Sequence, residues 1–184
     1  VIVDRFLPSF DKLKEYTKTA VFKDEVNEVD GVIYPLICKE IPSYILDELV
    51  EKLSKIDGKE PKINAVFMRR SPKGVHCPHK VHTDNSMGSR SLMLYMDDIS
   101  DVLYGTSLLQ HKETGAKDAR HSPEVITKLI WDQNNDDAWD IYQMNYGHPN
   151  RAFIFDAHLL HRAEPIGGYG EDSEARTVLT CFYD

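Results

Sequence analysis

The stretch Arg176-Thr177-Val178-Leu179-Thr180-Cys181-Phe182-Tyr183 reads as a β-strand of β-branched, aromatic and apolar residues. Side chains alternate between the two faces of a strand, so Arg176, Val178, Thr180 and Phe182 share one side. An arginine heading such a strand is costly to bury unpaired and should be matched by an anion. A carboxylate taken by both arms of the guanidinium is the strong form of that match. Glu171, Asp172 or Glu174 just upstream could supply it, a bound ligand could, or the residue could be exposed.

Working outward, strands dominate the neighbouring sequence. Residues 151–155 read as a strand after a turn at 147–150, 105–110 read as another, and 139–144 suit a strand or else a helix. Ser91-Leu92-Met93-Leu94-Tyr95-Met96 is the apolar run of a strand buried on both faces, followed by an acidic turn at 97–101. Residues 63–69 form a further strand before a polar turn at 70–74. Ser122-Pro123 opens one helix here, with Val125, Ile126, Leu129 and Ile130 inward. Residues 166–175 make a glycine-rich acidic loop. Its Gly167-Gly168-Tyr169-Gly170 core suggests a mobile lid anchored by Tyr169, or else a solvated hairpin connection.

The first sixty residues read as mainly helical support. Val1-Ile2-Val3 suits a short edge strand, and Ser9 can cap a helix carrying Phe10, Leu13, Tyr16 and Ala20. Asp30-Gly31 signals a turn, and Pro42-Ser43 opens a helix striped with Ile45, Leu46, Leu49, Val50 and Leu53 that stops at Asp57-Gly58. Helices first and many short strands after predict a mainly β, α+β domain spanning 1–184. Residues 1–60 are its support and 61–184 a jelly-roll core whose mouth can hold a metal.

That metal has candidate ligands in Lys80-Val81-His82-Thr83-Asp84-Asn85. Two side chains two residues apart on extended backbone project to one side, so His82 and Asp84 converge. A second imidazole would complete the two-histidine, one-carboxylate set that leaves positions open on Fe(II). Phe155-Asp156-Ala157-His158-Leu159-Leu160-His161-Arg162 offers His161 or its rival His158. His76, Cys77 and His79 crowd the same region but match no standard zinc spacing, and lining the mouth is their simpler role. His111, His121 and His148 sit in loop-like contexts and read as solvated.

Composition limits the partners. The 184 residues carry 22 basic and 30 acidic side chains, a formal net charge of −8, with pI ≈ 5.5, which disfavours nucleic acid and anionic membranes. Three cysteines (38, 77 and 181) with no repeated spacing fit a reducing, cytoplasmic setting rather than a disulfide framework. No apolar run approaches the roughly 18–20 residues of a membrane span. The chain opens on Val1 rather than Met, so an upstream segment is expected to have been removed. Oligomeric state is not legible.

Together, His82-x-Asp84, Tyr95, Asn150-Arg151-Ala152-Phe153-Ile154-Phe155-Asp156, His161-x-x-x-Pro165 and Arg176-x-x-x-Thr180 keep one order along the chain. That order resembles the Fe(II)- and 2-oxoglutarate-dependent dioxygenases of the prolyl-hydroxylase-like branch, over residues 64–184. The resemblance implies a double-stranded β-helix, cupin-like in form, with His82, Asp84 and His161 as iron ligands. It implies that Arg176 binds the C5 carboxylate of 2-oxoglutarate, aided by Tyr95 and Thr180, and that O2 is the other co-substrate. It further implies hydroxylation of a peptidyl proline, an amino acid or another small molecule, with succinate and CO2 released. The sequence departs from the family in having Tyr104-Gly105-Thr106 where a glycine pair is usual. It also inserts 167–175 before Arg176 and lacks the usual tyrosine spacing before His82, so substrate choice does not carry over. A cupin-like metal protein without oxygenase activity, or a jelly-roll interaction module, would keep the fold but have no need of Arg176 with Thr180.

Overall fold

The computed structural model describes residues 1–27, 31–100 and 102–184. Two antiparallel sheets carry it. The larger has the order β1-β8-β5-β10-β4-β3-β2 and the smaller the order β7-β6-β9. The strands of the first are β1 (Ile2–Val3), β2 (Lys23–Val26), β3 (Ile33–Cys38), β4 (Ile63–Ser71), β5 (Arg90–Tyr95), β8 (Arg151–Asp156) and β10 (Arg176–Tyr183). Those of the second are β6 (Gly105–His111), β7 (Trp139–Tyr146) and β9 (His161–Glu164). An isolated bridge between His82 and His161 adds the His-x-Asp segment beside β9 as an incipient fourth strand. Four central strands, β8-β5-β10-β4, thus face three strands and this segment, which is the layout of a double-stranded β-helix.

All eight residues of β10 are buried, which explains its near-absence of charge. One face, with Leu179, Cys181 and Tyr183, packs on Leu13 of α1 (Phe10–Thr17) and on Ile45, Leu49 and Leu53 of α2 (Ser43–Asp57). The other looks into the barrel. There Val178 joins Tyr95, Phe153 and Phe155 of the large sheet and Tyr104 and Leu108 from the small-sheet side. The strand pattern of the sequence therefore matches the core, and 91–96 is indeed buried on both faces. Helix α2 ends at Gly58, whose φ of 70° places it in the left-handed cap position.

Several expectations fail locally. The N-terminal sixty residues also hold the β2–β3 hairpin, which extends the large sheet. Its β2 is almost wholly exposed and its β3 carries Pro35 and a positive φ at Leu36, so neither shows the alternation of a half-buried strand. The Asp30 half of the expected turn lies outside the described residues, as does Asp101. Ser9 precedes α1 without a side-chain cap; its N–H donates to Glu48 instead. Ala20 falls beyond that helix, and Leu46 is exposed. Helix α3 (Pro123–Asp132) covers the outer side of β6–β7 through Leu129 and leaves Ile130 in solvent. His111 is buried, not solvated, because its ring sits between Asp132, Thr114 and Trp139. The four-residue strand β9 was not anticipated.

The 167–172 loop is not a free lid. Tyr169 N–H donates to Ser71, Lys73 to Gly170, Gly74 to Gly167 and Arg176 to Tyr169, so the loop is laced to residues 71–74 and to β10. A Cβ on Gly168 would stand 2.2 Å from the Pro72 carbonyl oxygen, a contact only glycine permits. Swinging open would break those four bonds.

Two stability predictions follow from this packing. Leu49→Ala empties a fully buried site between α2 and the sheet, and should lower the unfolding free energy in urea by about 2–5 kcal/mol. Asp97 accepts a bond from the Thr177 N–H at the head of β10, yet burial outweighs that contact and pushes its carboxyl up to about 6. Between about pH 4, where an unfolded aspartate ionises, and this raised value, the folded chain holds a proton that the unfolded chain has released. Stability should therefore fall as pH rises through that window. Asp97→Asn carries no such proton, so the difference between wild type and variant in urea melts at pH 4 to 7 should show that slope; parallel curves would remove the assignment.

Candidate metal centre

The segment carrying His82 is held by paired backbone bonds, His82 N–H to the His161 carbonyl (3.1 Å) and His161 N–H to the His82 carbonyl (3.0 Å). Asp84 N–H then donates to Ala157 at 2.8 Å, fixing the next turn of chain. Two distant stretches are thereby locked so that one ligand atom each from His82, Asp84 and His161 lie within 4.8 Å of one another. His161 Nε2 is 3.2 Å from Asp84 Oδ2, and His82 Nε2 is 3.7 Å from Asp84 Oδ1. The Ser91 hydroxyl donates to Asp84 Oδ2 at 3.0 Å and orients the carboxylate.

The protonation pattern fits a cation at the centre. His161 Nδ1 lies 2.9 Å from the Leu159 carbonyl, so Nδ1–H donates and Nε2 presents its lone pair to the aspartate. That Nε2 is buried with no hydrogen-bond partner. Lone pairs facing a carboxylate at this distance repel unless a proton or metal ion lies between them. Burial works to lower the His161 pKa, but the Asp84 charge and contact outweigh it and the net shift is upward. For Asp84, burial opposes ionisation while His161, His82 and Ser91 favour it, and its pKa falls. His82 is pushed down to about 4 by burial and by its neighbour His161, which leaves it neutral and able to ligate. One carboxylate and two imidazoles, once His161 gives up its proton to the ion, suit a divalent cation with open positions. His158 is elsewhere: its Nδ1 and N–H both engage Asp156 Oδ1. His76, Cys77 and His79 join no metal-holding group among the described residues.

Arg176 lies inside the barrel on the face with Val178 and is only 4% exposed. Its Nε donates to the Glu164 carbonyl at 3.0 Å and its Nη2 to the Gly105 carbonyl at 3.3 Å. Among the described residues no carboxylate stands within ion-pair distance, so Glu171, Asp172 and Glu174 do not neutralise it. Tyr104 faces the guanidinium, with its ring centre 5.7 Å from Cζ. Its hydroxyl is buried without a partner. Tyr95 is wholly buried and its phenol, pushed up to about 12 by burial, donates to Thr106 Oγ1 at 2.8 Å. Thr180 turns inward as expected, with its hydroxyl 3.4 Å from Met93 Sδ. Sequence reasoning missed Tyr104 and Ser91. A serine inside an apolar strand was the available signal for Ser91; nothing marked Tyr104 except the glycine after it. Gly105 itself is obligatory, since its φ is 143° and a Cβ would meet the Asn145 oxygen at 2.0 Å.

No family model matches the chain, and no curated protein matches it either. Solved structures do. An oxidoreductase of the 2OG-Fe(II) oxygenase family from Burkholderia pseudomallei aligns over 100% of this chain and 84% of its own, at 11% identity and a TM-score of 0.56. EctD from S. alaskensis with 2-oxoglutarate and 5-hydroxyectoine aligns over 100% and 71%, at 13% and 0.54. The non-haem α-ketoglutarate-dependent carbocyclase SnoK from nogalamycin biosynthesis aligns over 100% and 78%, at 12% and 0.54. The fold is therefore the double-stranded β-helix that these oxygenases share. None of the described helices is long and apolar enough to cross a membrane.

The ligand assignment is testable by anaerobic Fe(II) titration. Alanine at His82, Asp84 or His161 should cost more than the roughly 10–100-fold typical of losing a residue that merely orients a ligand. His158→Ala should bind iron as wild type does. Retained binding in the His161 variant with loss in the His158 variant would reverse the assignment.

Proposed function

We propose that this chain is an Fe(II)- and 2-oxoglutarate-dependent oxygenase, most simply a hydroxylase of a small molecule, acting as one domain over 1–184. The observation that carries the reading is the pairing of two unsatisfied features in one barrel. Three ligand atoms of metal-binding type converge within 4.8 Å of one another, and a buried guanidinium has no carboxylate within ion-pair distance among the described residues. A dicarboxylate bridging a metal and Arg176 meets both needs. A cupin-like protein binding only a metal would leave the Arg176 charge buried at a cost of several kcal/mol with nothing in return. That the structural neighbours include a 2-oxoglutarate complex and an α-ketoglutarate-dependent enzyme supports this reading.

In this scheme His82, Asp84 and His161 hold the iron, and Ser91 keeps the Asp84 carboxylate aimed. Bound iron with 2-oxoglutarate and O2 supplies the oxidation: 2-oxoglutarate loses CO2 to give succinate, one oxygen atom enters the succinate carboxylate and the other enters a substrate C–H bond. The protein positions and dries the site. Arg176 takes the C5 carboxylate, and the orphaned Tyr104 hydroxyl has a partner once that oxygen arrives. Tyr95, engaged with Thr106, braces the wall behind it, and Thr180 adds a hydroxyl on the same face. The three cysteines are free thiols, which supports a cytoplasmic setting.

The test is 2-oxoglutarate turnover, read as succinate formed. Arg176→Ala should raise the KM for 2-oxoglutarate by the equivalent of roughly 2–5 kcal/mol while Fe(II) still binds. Arg176→Lys should recover part of this, because an ammonium cannot make two parallel bonds. Thr180→Val should cost on the order of 1 kcal/mol. Unchanged 2-oxoglutarate binding in Arg176→Ala would favour the metal-binding protein without oxygenase activity.

A further inference from the structure

A second guanidinium shares the barrel with Arg176. Arg69 stands opposite Val178 across the β4–β10 ladder, two residues along from the Arg176–Ser71 pair. Residues paired directly across antiparallel strands share a face, so Arg69 points into the barrel as Val178 does. Its Nη1 donates to the Cys77 thiol at 3.3 Å. Its Nε is buried without a hydrogen-bond partner, and no carboxylate among the described residues lies within ion-pair distance.

The surroundings sharpen the point. Arg69, His76, Cys77, Lys80, Arg162 and Arg176 line one small pocket that also touches Ala163, two residues from His161, and among the described residues no acidic side chain lines it. This occurs in a chain whose formal net charge is −8. Lys80 and Arg162 are already answered, both by Asp136 and Arg162 also by Glu164. Arg69 and Arg176 are not. Two like charges facing one space each call for an anion. Of the two carboxylates of 2-oxoglutarate, C1 goes with the metal and C5 with Arg176, which leaves Arg69 without one.

We infer that Arg69 is the specificity-determining residue of this site and binds the carboxylate of the prime substrate, making that substrate a small organic acid or free amino acid rather than an internal peptide residue. The inference rests on the oxygenase reading given above.

Cys77 provides a probe that needs no knowledge of the substrate, since Cys38 and Cys181 are buried. The Zn(II)-loaded protein, saturated with 2-oxoglutarate, is treated with iodoacetate or with the neutral iodoacetamide, and alkylation of Cys77 is followed by peptide mass. Relative to glutathione under the same conditions, the acid should be favoured over the amide by roughly tenfold or more, the yield of one charge-assisted contact, and its rate should saturate. Acetate should protect Cys77 and acetamide should not. Arg69→Met should abolish saturation and preference, and Arg69→Lys should keep part of both. Circular dichroism should match wild type, and 2-oxoglutarate affinity should be unchanged in each variant. An acid preference no greater than that of glutathione overturns the proposal, as does a Cys77 that neither reagent reaches. A fall in 2-oxoglutarate affinity in Arg69→Met as large as in Arg176→Ala also overturns it, because Arg69 would then serve the co-substrate. Failure of wild type to bind 2-oxoglutarate with the acid preference intact would instead sink the oxygenase reading and the word substrate with it, leaving Arg69 as an anion site.

Discussion

Strand β10 is hydrogen-bonded on both edges, to β4 and to β5, and packed on both faces. The rest of the structure depends on that position. Its outward side chains are the floor on which α1 and α2 sit, and its inward ones form the wall of the barrel. A charged residue at such a place cannot reach bulk water, so Arg176 must find its partners inside. Two carbonyls meet part of its hydrogen-bonding capacity, and the nearby Asp97 carboxyl acts on its charge only from beyond ion-pair distance. The same placement that makes the strand the centre of the core leaves its first residue a buried cation with no carboxylate within ion-pair distance among the described residues.

The candidate metal centre is built by the opposite device, a marginal one. The His82 segment is no full strand; a single bridge to His161 holds it beside β9. With so little sheet around it, the geometry of the three ligand atoms relies on the Ser91 and Ala157 contacts to Asp84 and on the Leu159 contact to His161. A bound cation would add to this segment the cohesion that its short pairing lacks. Metal and backbone would then support each other through the two hydrogen bonds between residues 82 and 161.

Much of this was legible in the sequence because the physics is periodic or local. The strand at 176–183 announced itself by apolar content, α2 by its stripe and its glycine stop, and His82-x-Asp84 only together with the motifs that follow it along the chain. The geometry brings His161 beside Asp84 and leaves His158 turned aside by Asp156, a contact the sequence places two residues away but does not orient. What was hidden depends on tertiary placement. The β2–β3 hairpin is an exposed edge without alternation. His111 looked solvated until Asp132, twenty-one residues on, came to meet it. The loop at 167–172 looked mobile from its glycines, whereas those glycines permit close packing against 71–74. Arg69 and Tyr104 could be singled out only once the barrel had brought them beside Arg176.

The central claim is that one dicarboxylate spans the distance between the metal centre and Arg176. Anaerobic addition of 2-oxoglutarate to the Fe(II)-loaded protein measures this most directly, because chelation of iron by a 2-oxo acid produces a weak visible charge-transfer band. The account predicts a saturable band with one equivalent of each. It also predicts that pyruvate, a 2-oxo acid with no second carboxylate for Arg176, gives the band only at far higher concentration. No band at any 2-oxoglutarate concentration, or equal affinity for the two acids, would contradict it.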